Sequence, residues 1–191
     1  MRHVISALVM NEPGVLSLVA GLFSARGFNI DSLVVGRTEN PELSRMTVVV
    51  DADENTLEQV RKQLGKLVPV VKVRDFKEAA YIERDLALIS VGVGPEKRAE
   101  VIEIVNLFRG KVVDIAKNSL IVELTGTEQK IEALIDLLNP YGIKELARTG
   151  VIAMARGTQA AKDEAAEKAD KTGGKRKRSL DAPAAAALPP S

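Results

Sequence analysis

Asn11-Glu12-Pro13-Gly14-Val15-Leu16 and, beyond an apolar stretch that closes at Gly27, Asn29-Ile30-Asp31 are the residues of this 191-residue chain best suited to holding a small ligand. They place a strand end, a Gly-containing turn and a helix start in immediate succession. Backbone N–H groups at a helix N-terminus lack intrahelical partners and lie at the positive end of the helix dipole, so a carboxylate or phosphate is favoured there. Pro13 suits a first-turn position, where its missing N–H costs nothing, and Gly14 lets a ligand approach the backbone. A free amino acid fits this layout. Its carboxylate would sit on the N–H groups around Gly14, Val15 and Leu16, and its ammonium would take the side-chain carbonyl of Asn11 or Asn29. Turns of this composition are common, and the motif alone reads first as a well-made strand-to-helix turn.

Other chemistries lack the residues. There is no Cys and a single His, His3, which reads as a strand or surface residue. Disulfides, thiolate metal sites and His clusters are therefore excluded, and with His3 read as a strand or surface residue a Ser/His triad is not expected. The only aromatics are Phe23, Phe28, Phe76, Tyr81, Phe108 and Tyr141, none on the first or third strand where a base would stack. No nucleophile, acid or base has an evident orienting partner. Arg26 and Asp31 could pair near the turn, most simply as a structural ion pair. Residues from Gly157 onward carry 7 of the 27 Lys/Arg and 5 of the 26 Asp/Glu, leaving a nearly neutral body and no broad nucleic-acid footprint. No apolar run reaches the ~18 residues of a membrane span. A cytoplasmic protein, without nucleic-acid or membrane partners, is expected. Sensing or assembly remains.

The elements that must position the motif emerge from periodicity. Residues 3–10 read as a central strand, then Val15, Leu18, Val19, Leu22 and Phe23 recur at helical spacing. Gly21 inside that helix suggests close packing on the sheet or on another subunit. Strands over 29–37 and 45–50 come next, joined by the polar link 38–44, a candidate contact loop. Asp53 is placed to cap a helix carrying Leu57, Val60, Leu64 and Leu67, and residues 68–73 make a fourth strand. The order β-α-β-β-α-β then repeats: strand 86–93, a helix with Val101, Ile104, Val105 and Phe108, strands 111–116 and 120–124, a Thr127-capped helix, and a last extended segment 143–155. The predicted fold is α+β, two tandem ferredoxin-like βαββαβ domains over 1–76 and 85–157, with a linker at 77–84 and a disordered tail at 158–191. Lys175-Arg176-Lys177-Arg178 reads as part of that solvated tail. Open sheet edges favour pairing with a second copy, which would put the ligand site between subunits.

The stretches Asn11–Leu16, Gly21–Leu33 and Leu43–Thr47, with Phe108–Asp114, Ala147–Gly150 and Ala155–Gly157, closely resemble the small, regulatory subunit of acetolactate synthase. The resemblance covers about residues 1–157. It implies an N-terminal ACT domain followed by an ACT-like domain, with no active site in the chain. It further implies a homodimer through the ACT domains, a catalytic large subunit as partner, activation of that subunit, and feedback inhibition by valine in branched-chain amino-acid biosynthesis. Thiamine diphosphate and Mg would belong to the large subunit, and no cofactor to this chain. The family's effector positions fall on Asn11, Gly14, Val15, Leu16, Asn29 and Ile30, between two ACT domains. Leu18 departs from the pattern, which often has Arg there. An amino-acid-sensing ACT protein acting on another enzyme or on transcription is the alternative.

Overall fold

The computed structural model describes residues 1–77 and 80–157. The expected tail 158–191, with its basic run, lies outside the described residues. The first half runs β1 (Arg2–Met10), α1 (Val15–Ser24), β2 (Ile30–Arg37), β3 (Leu43–Asp51), α2 (Glu54–Leu64) and β4 (Val70–Asp75). Its strands form an antiparallel sheet in the order β2-β3-β1-β4. The second half runs β5 (Tyr81–Val91), α3 (Arg98–Leu107), β6 (Lys111–Ala116), β7 (Ser119–Gly126), α4 (Glu128–Leu138), β8 (Ile143–Arg148) and β9 (Ile152–Ala155). Its sheet repeats the order as β6-β7-β5-β8, with β9 also paired to β5. This is the expected α+β tandem of ferredoxin-like units.

Alternation along β1 decides which face is covered. Ile5, Ala7 and Val9 pair with Val48, Met46 and Ser44 on the face that takes both helices, where Val15, Val19, Leu22 and Phe23 meet Leu57, Val60 and Leu64. Buried positions at i, i+4, i+7 and i+8 give α1 its apolar stripe. Phe28 then donates its N–H to the Phe23 carbonyl at 3.2 Å, while Gly27 takes the positive φ (69°) that turns the chain out of the helix. Asp53 caps α2 as expected: one carboxylate oxygen accepts the Thr56 N–H and the other the Thr56 hydroxyl, both at 2.9 Å. These bonds hold its carboxyl below the usual range. Thr127 occupies the matching position before α4, but its hydroxyl makes no capping bond. Gly21 is exposed, with open space where a Cβ would stand, so it does not pack on the sheet. The second core is built alike, with Ala87, Ile89 and Val91 of β5 against Val101, Val105, Ile131, Leu134 and Leu138.

Two strand boundaries differ from those read from hydropathy. β5 starts at Tyr81 instead of Leu86, because its polar first turn is stabilised by pairing rather than by a continuous apolar run. The extended segment 143–155 is two strands. It breaks at Thr149-Gly150, where Gly150 has φ +87°, a value that disfavours any side chain. The break has a cause in Asp85, whose side chain is wholly buried. One of its oxygens accepts Nε and Nη2 of Arg148 at 2.7 and 2.5 Å, and the other accepts the Thr149 hydroxyl and the Gly150 N–H, each at 3.1 Å.

The corner so held rests on the helix-free face of the first sheet. Val151 donates its N–H to the Ser32 hydroxyl at 3.0 Å, and a Cβ on Gly150 would collide with that same oxygen. Val4, Ser6, Thr47 and Val49 are buried on this face although no helix covers it. Arg2 adds a second tie, pairing with Glu83 at 3.2 Å and Glu128 at 2.6 Å.

Removing Asp85 takes the acceptor from a partly buried guanidinium and two partly buried donors. Asp85→Ala is expected to cost about 3 kcal/mol, within the range for breaking a buried pair, read as a lower urea midpoint. Gly150→Ala combines a disfavoured φ with the collision at Ser32 and is expected to cost ~1–3 kcal/mol. Wild-type midpoints for both variants would show that the corner does not hold the structure together.

Candidate effector site

The turn after β1 is built as an anion-accepting helix start. Gly14 precedes α1 with φ +85°, a conformation that a non-glycine residue enters with strain. Leu18 closes the first helical bond to the Gly14 carbonyl at 2.9 Å, and the Val15 N–H makes a long 3.4 Å bond to the Glu12 carbonyl. Among the described residues, the N–H groups of Leu16 and Ser17 have no acceptor, and α1 has no acidic residue in its first turn. The positive end of the helix is therefore open and uncompensated by its own side chains. Val15 buries its side chain in the core and offers only backbone here, whereas Leu16 is 45% exposed beside the turn.

Asn11 does not stand free. Its amide Nδ2 donates to the Pro41 carbonyl at 3.0 Å, its Oδ1 accepts the Ser44 hydroxyl at 3.1 Å, and its backbone N–H reaches the Glu42 carbonyl at 2.7 Å. It clasps the β2–β3 loop to the turn. The loop is further held by its own polar groups. The Thr38 hydroxyl donates to the Asn40 carbonyl at 3.0 Å, and the Asn40 side-chain oxygen accepts the Glu42 N–H at 3.0 Å. Asn29 differs: its Nδ2 donates to Asp31 at 2.8 Å, and its carbonyl oxygen has no donor among the described residues. Arg26 does not pair with Asp31 among the described contacts; its guanidinium donates to the Leu22 carbonyl at 3.3 Å.

The six candidate residues fall into two groups. Met10, beside Asn11, pairs with Leu43 at the start of β3, while Ile30 pairs with Val50 near its end. The run from Leu43 to Val50 spans about 23 Å at ~3.3 Å per residue. Within one chain, Asn11, Gly14, Val15 and Leu16 thus lie at one end of the sheet, and Asn29 and Ile30 at the other. Next to the second group the β2–β3 register shifts between Ile30 and Ser32. A polar concavity of about 310 Å³ opens there, between Asp31, Ser32 and Leu33 and the Asp85–Arg148–Thr149–Gly150 corner. The roles of Asp85, Thr149 and Ser32 were not readable from sequence, since nothing local marks a carboxylate whose partners lie more than sixty residues on.

Among the described residues, no group of three or more His, Cys, Asp or Glu side chains could hold a metal ion. No helix of the described chain is long and apolar enough to cross a membrane.

Comparison with known proteins agrees with this architecture. Residues 5–72 match the model of the AHAS small subunit-like ACT domain, and residues 84–157 match that of the small subunit of acetolactate synthase. The chain is 55% identical over 159 residues to the probable acetolactate synthase small subunit of Archaeoglobus fulgidus, covering 83% of this chain and 99% of that one. It is 49% identical over 160 residues to the acetolactate synthase small subunit of Bacillus subtilis, covering 83% and 93% of the two chains. The crystal structure of the Thermotoga maritima small subunit superposes with a TM-score of 0.75 at 45% identity, over 82% of this chain and 98% of that one. With its tandem ACT-type sheets and these matches, the chain belongs to the acetolactate synthase small-subunit family, regulatory subunits that have no catalytic site of their own.

Proposed function

We propose that this chain activates a thiamine-diphosphate-dependent large subunit, which condenses two pyruvates to 2-acetolactate and CO2, and makes it sensitive to valine. The first common step towards valine and leucine would then respond, in the cytoplasm, to an end product of the pathway. Thiamine diphosphate and Mg belong, in this reading, to the large subunit. Residues 1–76 act as the effector-binding and dimerising domain, and residues 85–157 as the second ACT-like domain.

One observation carries the effector site: the separation of its residues to opposite ends of β3. β2 is an edge strand with unpaired backbone groups along one side. A twofold pairing of β2 with β2 of a second copy is antiparallel, so the Ile30 end of one strand meets the Arg37 end of the other. Arg37 pairs with Ser44, at the end of β3 that also carries Asn11. The dimer therefore brings Asn29 and Ile30 of one copy to the turn Asn11–Leu16 of the other. The free N–H groups of Leu16 and Ser17 would take the valine carboxylate, and the Asn29 carbonyl oxygen its ammonium. Leu16 and Ile30 supply apolar surface for the isopropyl group. Valine shifts activity only to the extent that it binds the less activating arrangement more tightly.

Acetolactate formation should rise when the chain is added to its cognate large subunit, and fall again with valine. No change in either step, with both proteins folded, would overturn the assignment. A Cβ at Gly14 meets no atom within 4 Å. Gly14→Asp meets no clash but takes on the strain of φ +85°, about 1–3 kcal/mol; the variant, checked for its fold by circular dichroism, should place its carboxylate over the helix start and abolish valine inhibition while activation by the chain persists. Asn29→Ala should do the same from the other end. Mixing and reassociating the two variant chains should restore inhibition in part, because each mixed dimer holds one intact site and one doubly altered site. If the mixture stays insensitive, each site lies within a single chain.

A further inference from the structure

Where the cover of β9 ends, the helix-free face of the first sheet opens into a groove of about 440 Å³. Thr47 and Ala153, both buried, lie at its floor, and Val34 and Gly36 of β2 form one wall. The opposite wall presents Ile82, Ile152 and Met154, which are 43%, 55% and 69% exposed. Arg37, Arg45 and Arg84 stand around the apolar centre with a single carboxylate, Glu39. Arg45 donates to the Ser6 hydroxyl and Arg84 to the Glu83 carbonyl, but none of the three arginines pairs with a carboxylate among the described salt bridges. In a body that is nearly neutral, this is a local excess of positive charge on an apolar surface.

Gly36 gives the groove a second mark. It lies inside β2 opposite Arg45, on the groove face, with no positive φ to require glycine and no atom within 4 Å of the point where a methyl group would stand. A strand glycine that neither turns the chain nor makes room for a protein neighbour leaves space for something that arrives from outside.

We infer that this groove is the docking site for a segment of the catalytic large subunit in which carboxylates flank apolar side chains. Apolar and Met surface ringed by arginine is the composition of an interface centre. The second copy proposed to pair along the β2 edge lies beside the groove and not across it, and a twofold contact through the groove itself would set the three arginines against their equivalents. The chain's own C-terminal segment is basic as a whole, with Lys175-Arg176-Lys177-Arg178, but begins with Asp163, Glu164, Glu167 and Asp170 against Lys162 and Lys168; were that stretch the occupant, a chain ending at Gly157 would bind the large subunit more tightly than the full chain. The inference rests on the small-subunit reading but not on the effector site.

Affinity of the full chain for its cognate large subunit, measured at low and moderate salt, tests this directly. Gly36→Leu fills the groove, and the double variant Arg45→Gln/Arg84→Gln removes charge without adding bulk. Each should weaken binding by about tenfold or more, and the double variant should also flatten the salt dependence. For the double variant, whose residues lie off β2, valine binding and the dimeric state of the chain alone should not change; absence of valine binding in the wild type would count against the effector site and leave the docking result standing. Wild-type affinity of the folded double variant would overturn the proposal, even if Gly36→Leu proved unstable. A drop in oligomeric state of the double variant alone would overturn it too, by assigning the groove to a contact between copies.

Discussion

A single buried carboxylate governs how the two sheets share one structure. Desolvating Asp85 would be costly without compensation, and the chain meets the requirement by bending β8 into β9 so that Arg148, Thr149 and Gly150 all donate to it. Burial would by itself lower the Arg148 pKa, but its bonds to Asp85 and Glu132 outweigh that and leave the guanidinium more firmly charged. The bend delivers Val151 to Ser32 and supports the cover over Val4, Ser6 and Thr47. A sheet that is helix-covered on one side is thereby partly closed on the other, and the Gly36 end of that face stays open.

The turn before α1 works under a different constraint. A helix start can accept an anion only while its first N–H groups remain unsatisfied, so the turn must avoid the side-chain caps that stabilise other helices. The contrast with α2 is direct: Asp53 fills its helix start with a carboxylate, whereas Gly14 leaves that of α1 vacant. Gly14 offers no side-chain cap, and Asn11, the nearest amide side chain before it, is turned away to hold Pro41 and Ser44.

Much of this was legible in the sequence where structure is local. Helical recurrence from Val15 to Phe23, the Asp53 cap and the repeated βαββαβ order all depend on neighbours a few residues apart. The residues whose roles were hidden have distant partners. Tyr81 to Arg84 alternate too weakly to announce a strand, and nothing local shows that β5 takes β9 as a further partner. Asn11 reads as a ligand group, and nothing local announces the bonds that its amide makes to Pro41 and Ser44. The helical spacing of Gly21 suggested a packing contact, yet the sheet does not reach it. Gly36 carried no signal at all, since its significance is the empty space above it.

The position of Asn29 and Ile30 at the far end of β3 from Gly14 has a consequence for how such a regulator behaves in solution. When each binding site needs a piece from two chains, ligand affinity and chain association are linked by mass action. Valine would tighten the dimer it binds, and dilution of the chain would loosen valine. The concentration of effector needed for inhibition then reports the abundance of the regulator as well as the supply of the amino acid.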